Sequence, residues 1–282
     1  MGDRNILKRF QLEVFPQPPI LKTKHPIFLC HGFGAIGSLV KPSPLHDPCM
    51  LMREHGMTAI APNVVPYASI ETRASNWVRL IKEFCDVYNY DKLNVVAHSM
   101  GGLDMRYAIA HLDIAEKIES LTTVATPHHG TYLADLVLKT PEILAGPISE
   151  IVDWFGNNVY PSERSNAIGS VEQLTLEYIQ DCFNPNTPDP DGIPIYSYAA
   201  AVGRGTKYSL NPIFKFQGNQ IFDIEGENDS FVSVESAQWG QYLGCINLSH
   251  LNQINVQVGR DLKSHYYDFW TGVIKKLSEF GH

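Results

Sequence analysis

Apolar and polar positions along the chain fall into two alternating kinds of block. A short continuous apolar run at 26–30 reads as a buried parallel strand, because strands covered on both faces lose the in–out alternation, and 58–62, 93–97 and 118–125 read as the strands that follow it. Residues 45–54, stopping at Gly56, predict a helix. Ala74, Trp77, Val78, Ile81, Phe84 and Cys85 recur at helical spacing and predict an amphipathic helix to about Tyr88. Another helical pattern runs from Leu103 to about His111. Strand and helix in alternation predict a parallel sheet with helices on both faces. Residues 1–23 read as an irregular arm or edge strand, since Pro16, Pro18 and Pro19 interrupt any ladder.

The alternation breaks between 131 and 190. Ile143, Leu144, Ile148, Ile151, Val152 and Phe155 form an apolar stripe with Trp154 beside it, and 171–182 predict a second helix. The Pro- and Asp-rich stretch 184–192 is a loop. Regular structure resumes with a strand over 193–202, and the chain ends in a helix carrying Phe269, Trp270, Val273, Ile274 and Leu277 on one side. The expectation is one domain over 1–282, with 131–190 inserted as a helical cap or lid over the carboxyl edge of the sheet.

Composition narrows this further. With 282 residues, 44% hydrophobic and 18% charged, the chain is long enough for a sizeable core and too apolar for disorder. A net charge of -8 gives no basic footprint for nucleic acid. No apolar run approaches the ~20 residues of a membrane span. The first residues do not read as a signal peptide, so the compartment stays open: intracellular, or exported without a leader or after its removal. Cys30, Cys49, Cys85, Cys182 and Cys245 lack CxxC spacing and indicate neither a disulfide framework nor zinc. Cys30 and Cys85 read as buried small hydrophobes; a Cys182–Cys245 bridge stays open.

The chemistry centres on Ala97-His98-Ser99-Met100-Gly101. A small residue, any residue, Ser, any residue and Gly between a strand and a helix is the pattern of a nucleophile elbow. Its strained turn needs small neighbours at 97 and 101. Serine requires a base, and the base an orienting acid. In this topology the acid follows the serine and the histidine follows the acid. Asp229, in a turn before Phe231-Val232, and His250, in a loop past Cys245-Ile246, fit that order. Asp223 is the rival acid and His265, within the last helix, the rival base. Two backbone N–H groups should face the developing oxyanion: that of Met100, and that of Phe33 in His31-Gly32-Phe33-Gly34.

These motifs, with Thr126-Pro127-His128-His129-Gly130-Thr131 and His250-Leu251-Asn252, resemble the bacterial triacylglycerol lipases of the α/β-hydrolase fold, in the group with the Pseudomonas, Burkholderia and Proteus enzymes. The resemblance covers about 25–256. It implies an α/β-hydrolase fold, ester hydrolysis by Ser99, Asp229 and His250, and a helical lid that opens at lipid surfaces. It also implies that 126–131 shape the site beside the serine. The substrate class is then a lipid or other ester; short-chain esterase, phospholipase and acyltransferase activities on the same residues are alternatives, as is a non-catalytic binding protein. The group typically holds a structural calcium near the histidine, through two carboxylates. Here Asn252 and Asn211 stand at those positions, and neutral amides weaken a hard-cation site. The expectation is therefore no cofactor and at most weak calcium binding, with hydrogen bonds between the two loops in its place.

Overall fold

The computed structural model describes residues 20–34, 42–139, 164–256 and 263–282. Six strands form one parallel sheet: β1 (Ile27–Cys30), β2 (Ala59–Ile60), β3 (Leu93–His98), β4 (Ile118–Val124), β5 (Ile195–Ala200) and β6 (Gln241–Ile246), in the order β2-β1-β3-β4-β5-β6. The described helices of the layers are α1 (His46–Glu54), α2 (Ile70–Tyr88), α3 (Met100–His111), α4 (Tyr132–Lys139), α5 (Arg164–Glu172), α6 (Lys215–Glu225) and α7 (Lys263–Phe280).

Strand alternation sorts these helices onto two faces. Ile27 and Leu29 of β1 join the cluster that contains Met52 of α1 and Trp270 and Ile274 of α7. Phe28 and Cys30 join the opposite cluster, with Trp77 and Ile81 of α2 and Ile109 of α3. Helix α2 shows the local logic. Its buried residues Ile70, Ala74, Trp77, Val78, Ile81, Phe84 and Cys85 follow the 3–4 spacing. Ser69 Oγ caps its first turn by accepting from Thr72 N, and Asn89 ends it in the left-handed conformation.

Two elements go beyond the sequence pattern, and one departs from it. Strand β6 and helix α6 had no clear signal. The predicted helix over 171–182 is broken: α5 ends at Glu172, residues 173–175 turn, and a π-helical segment covers Tyr178–Phe183. Tertiary bonds override the local propensity there. Gln173 Oε1 accepts from Ile70 N at 2.7 Å, and its Nε2 donates to Glu71. The Leu174 carbonyl accepts from Thr131 N at 2.9 Å. The apolar stripe at 143–155 and residues 1–19 of the predicted arm lie outside the described residues. Among the described residues no helix is long and apolar enough to cross a membrane. All five cysteines are free: Cys30, Cys49 and Cys85 are buried, while Cys182 and Cys245 are exposed and unbridged.

Candidate active site

The loops that follow β1, β3 and β6 at the carboxyl edge of the sheet meet at one point, joined there by the turn that precedes β6. At the end of β3 the chain passes into α3 through one residue, Ser99, at φ 56° and ψ -135°. This is a strained region for a residue with a side chain. It is held by bonds on both sides: Ser99 N donates to Val124 O at 2.9 Å, and the Ser99 carbonyl accepts from Thr126 Oγ1 at 2.7 Å. Crowding explains the glycines. A Cβ on Gly101 would lie 2.7 Å from the Cys30 carbonyl oxygen, and one on Gly102 would lie 2.2 Å from Thr126 Oγ1.

The structure brings Ser99, His250 and Asp229 together. His250 Nε2 lies 2.9 Å from Ser99 Oγ, and His250 Nδ1 lies 2.7 Å from Asp229 Oδ2. Asp229 is wholly buried, and its carboxylate accepts from four directions. Phe231 N and Val232 N donate to Oδ1 at 2.9 and 2.8 Å; His250 Nδ1 and Gln253 Nε2 bond Oδ2. The Phe231 ring stacks on His250 with centroids 4.8 Å apart. The two rivals lie elsewhere. Asp223 is on the exposed surface, paired with Arg204, and the His265 ring packs edge-on to Tyr208.

The loop after β1 is fixed by a buried cation. Arg73, fully buried on α2, donates from its terminal nitrogens to the carbonyls of His31 (2.6 Å), Gly32 (3.0 Å) and Val65 (2.8 Å), and from Nε to Asp104 Oδ2 (2.9 Å). In a trans peptide the carbonyl and the next N–H point in opposite directions. Holding the Gly32 carbonyl therefore turns the Phe33 N–H away from Arg73. Met100 opens α3, where first-turn N–H groups lack partners within the helix. Burial pushes the Asp104 carboxyl up to about 6 against the pull of Arg73. His31 is held down to about 3 by burial first and by Arg73 second. It stays neutral, accepting from Val64 N at Nε2.

Ser99 and His250 open into a largely apolar cavity. Leu133, Ala134 and Val137 of α4, Val171 of α5 and Leu174 line one part of it, and Phe33, Leu251 and Ile254 line another. From the 126–131 segment, Pro127 and Thr131 reach the cavity. His128 turns instead toward Arg106 (3.4 Å) and Thr123 (3.0 Å) and stacks on Trp239. Asn211 Oδ1 caps its own turn by accepting from Ile213 N, and Asn252 bonds Ser249 Oγ and the Val256 carbonyl. Each of these bonds lies within its own loop. Among the described residues no three His, Cys, Asp or Glu side chains gather as a metal site.

Sequence reading missed Gln253, Arg73 and Asp104. A fully buried Gln in a turn and a buried ion pair between two helices leave no periodic signal; the one hint was Arg73 beside Ala74 on the apolar stripe of α2 and Asp104 within the apolar pattern of α3.

A parallel sheet with a serine on the sharp turn after its third strand, hydrogen-bonded to a histidine and an aspartate from later loops, defines a hydrolase class. Residues 25–242 match the alpha/beta hydrolase fold family, and the chain belongs to it. It is 32% identical to Triacylglycerol lipase 2 of Saccharomyces cerevisiae over 212 residues, which are 72% of this chain and 60% of that protein. It is 25% identical to a Pseudomonas fragi triacylglycerol lipase over 291 aligned positions, covering 93% of this chain and 98% of that one. The crystal structure of the mature form of a Bacillus licheniformis lipase superposes with a TM-score of 0.68 at 19% identity, over 93% of this chain and 96% of the other.

Proposed function

We propose that this chain is a serine carboxylic-ester hydrolase acting on lipid esters, with triacylglycerols the favoured class. The observation that carries this reading is the continuous hydrogen-bonded series Asp229–His250–Ser99, opening into an apolar cavity. The lipase relatives support the same class.

Ser99 Oγ attacks the ester carbonyl carbon as His250 Nε2 takes its proton. Asp229, accepting from Nδ1, keeps the ring in the tautomer with Nε2 free to act as base, and stabilises the imidazolium that forms. The tetrahedral oxyanion is held by the N–H groups of Phe33 and Met100. His250 then returns the proton to the departing alcohol and leaves an acyl-Ser99 ester. A water molecule, deprotonated by His250, repeats the sequence and frees the acid and Ser99.

Residues 131–190 act as the cap of this site. Leu133, Val137, Val171 and Leu174, all from that insertion, line the cavity, which supports a lid that meets lipid surfaces. Catalysis proceeds without a cofactor, and calcium binds weakly if at all. In support of this, Asn211 and Asn252 present neutral amides.

The test is hydrolysis of p-nitrophenyl esters from acetate to palmitate, wild type beside Ser99→Ala. The expected result is activity that rises with chain length and falls by several orders of magnitude in the variant. A peak at acetate would reduce the reading to a short-chain esterase. Equal turnover by both proteins would overturn the assignment of Ser99.

A further inference from the structure

One buried side chain connects two residues of this site, Asp229 and His98, and has no part in the steps above. Gln253 lies in the short 3-10 turn Asn252–Ile254, three residues after His250, and has no solvent exposure. Its Nε2 donates to Asp229 Oδ2 at 2.8 Å, and its Oε1 lies 3.0 Å from His98 Nε2. Its backbone carbonyl separately accepts from Trp270 Nε1 at 2.9 Å, so the turn is anchored without the side chain. His98 immediately precedes Ser99, and its ring packs against His250 with centroids 4.6 Å apart.

The polarity of this chain of bonds is fixed by charge. An anionic carboxylate only accepts, so the amide of Gln253 must turn its NH2 toward Asp229. Its oxygen then faces His98 and only accepts, which requires the proton of His98 to sit on Nε2. A single amide thus orients a carboxylate on one side and selects a tautomer on the other. Burial, and next the neighbouring His250, hold His98 well below the usual histidine range. The ring against His250 therefore carries no charge of its own at neutral pH.

We propose that Gln253 is a positioning residue for the hydrolysis: its carboxamide fixes Asp229 Oδ2 where it orients His250, and locks His98 as the neutral Nε2–H tautomer beside Ser99. This rests on the assignment of Ser99, His250 and Asp229 made above. Four donors converge on Asp229, and only one of them is supplied by a side chain outside that series. Without it, Oδ2 has a single partner and the carboxylate gains freedom to swing. A glutamate at 253 would set a second carboxyl against the first and give His98 an acidic partner. Two further titratable groups near the trio, Cys245 and His31, stay uncharged across the working range, while the Glu227 carboxylate lies near Cys245. Burial holds the Cys245 thiol up at about 11 and His31 down at about 3.

The experiment compares wild type, Ser99→Ala, Gln253→Glu and Gln253→Met on p-nitrophenyl butyrate across pH 5–9, with melting temperatures recorded in parallel. Both Gln253 variants are expected to lose on the order of tenfold to a hundredfold in kcat, since small misplacements of reacting groups cost that much, with KM within about twofold. The acid limb of the Gln253→Glu profile should move to higher pH, because added negative charge favours a protonated imidazole. Variants with lowered melting temperature but wild-type kcat and an unmoved acid limb would make Gln253 merely structural and overturn the proposal. If either variant does not fold, long-range 1H–15N spectra of the wild-type imidazoles decide: His98 protonated at Nε2 supports the proposal, and protonation at Nδ1 refutes it. A wild type whose activity is independent of Ser99 would instead refute the underlying hydrolase reading.

Discussion

Gly32 faces Ser99 so closely that a Cβ on Gly32 would stand 2.6 Å from Ser99 Cβ and 3.0 Å from its Oγ. The loop after β1 and the turn after β3 are therefore fitted to each other, and Arg73 holds the loop from behind through the His31 and Gly32 carbonyls. A methyl at 32 must push away either the loop or the serine. Both outcomes would separate the Phe33 N–H from the oxyanion position proposed for it. Gly32→Ala is expected to lower kcat by about a hundredfold, the scale of a 1 Å misplacement, while KM changes little. Steady-state kinetics beside a melting curve would check this; a folded variant with wild-type kcat would show that the loop is not part of the catalytic fit.

Several buried histidines make stability depend on pH in a defined direction. His31, His98 and His128 are fully buried, and burial is the main cause holding each below the usual 6.5, His31 to about 3. The partly buried His25 and His129 shift the same way. A histidine depressed in the folded state contributes stability that is present above its unfolded pKa. As pH falls below about 6.5 the unfolded chain binds protons that the folded chain refuses, and stability drops by about 1.4 kcal/mol per pH unit for each such group. Asp104 acts in the opposite sense: raised to about 6, it takes up a proton in the folded state first and offsets roughly one histidine below that pH. Urea midpoints measured between pH 7.5 and 5 should fall steadily, with a slope of more than one proton. His128→Gln should lower that slope by about one proton. A flat profile would mean that these histidines are protonated in the folded protein.

What could be read from the sequence and what could not divides along physical lines. Strands β1, β3, β4 and β5 are buried on both faces, so each reads as a short β-rich segment without in–out alternation, and β1 as an unbroken apolar run. Ser99, Asp229 and His250 were legible because the turn chemistry of the elbow and the order of its partners constrain them. Strand β6 was not: it is an edge strand, largely exposed, with Gly244 at φ 129°. Helix α6 was hidden by Gly218 in its first turn. A Cβ there would come 2.6 Å from Leu210 Cδ2, so that flexible side chain would have to shift. Arg73, Asp104 and Gln253 escaped for a third reason. Each is a polar residue whose fully buried position is justified only by partners distant in sequence.

The cavity wall gives a handle on substrate length. Leu133 and Val137 are one helical turn apart on α4 and both face the cavity that holds Ser99. A long acyl chain lying along that wall removes methylenes from water at about 0.8 kcal/mol each. An indole at 137 would occupy the space of roughly three methylenes, costing a long chain about 2.4 kcal/mol on the same scale, or somewhat over fiftyfold in kcat/KM. Acetate never reaches that wall. Val137→Trp should therefore cut kcat/KM for p-nitrophenyl palmitate by at least about tenfold, allowing for partial repacking, and leave acetate within about twofold. Ser99 itself is untouched, so its rate of reaction with a small fluorophosphonate should match that of wild type. Palmitate left within about twofold would mean that the acyl chain lies elsewhere, along the wall formed by Phe33, Leu251 and Ile254, and equal losses on both esters would mean that the indole disturbs the site around Ser99.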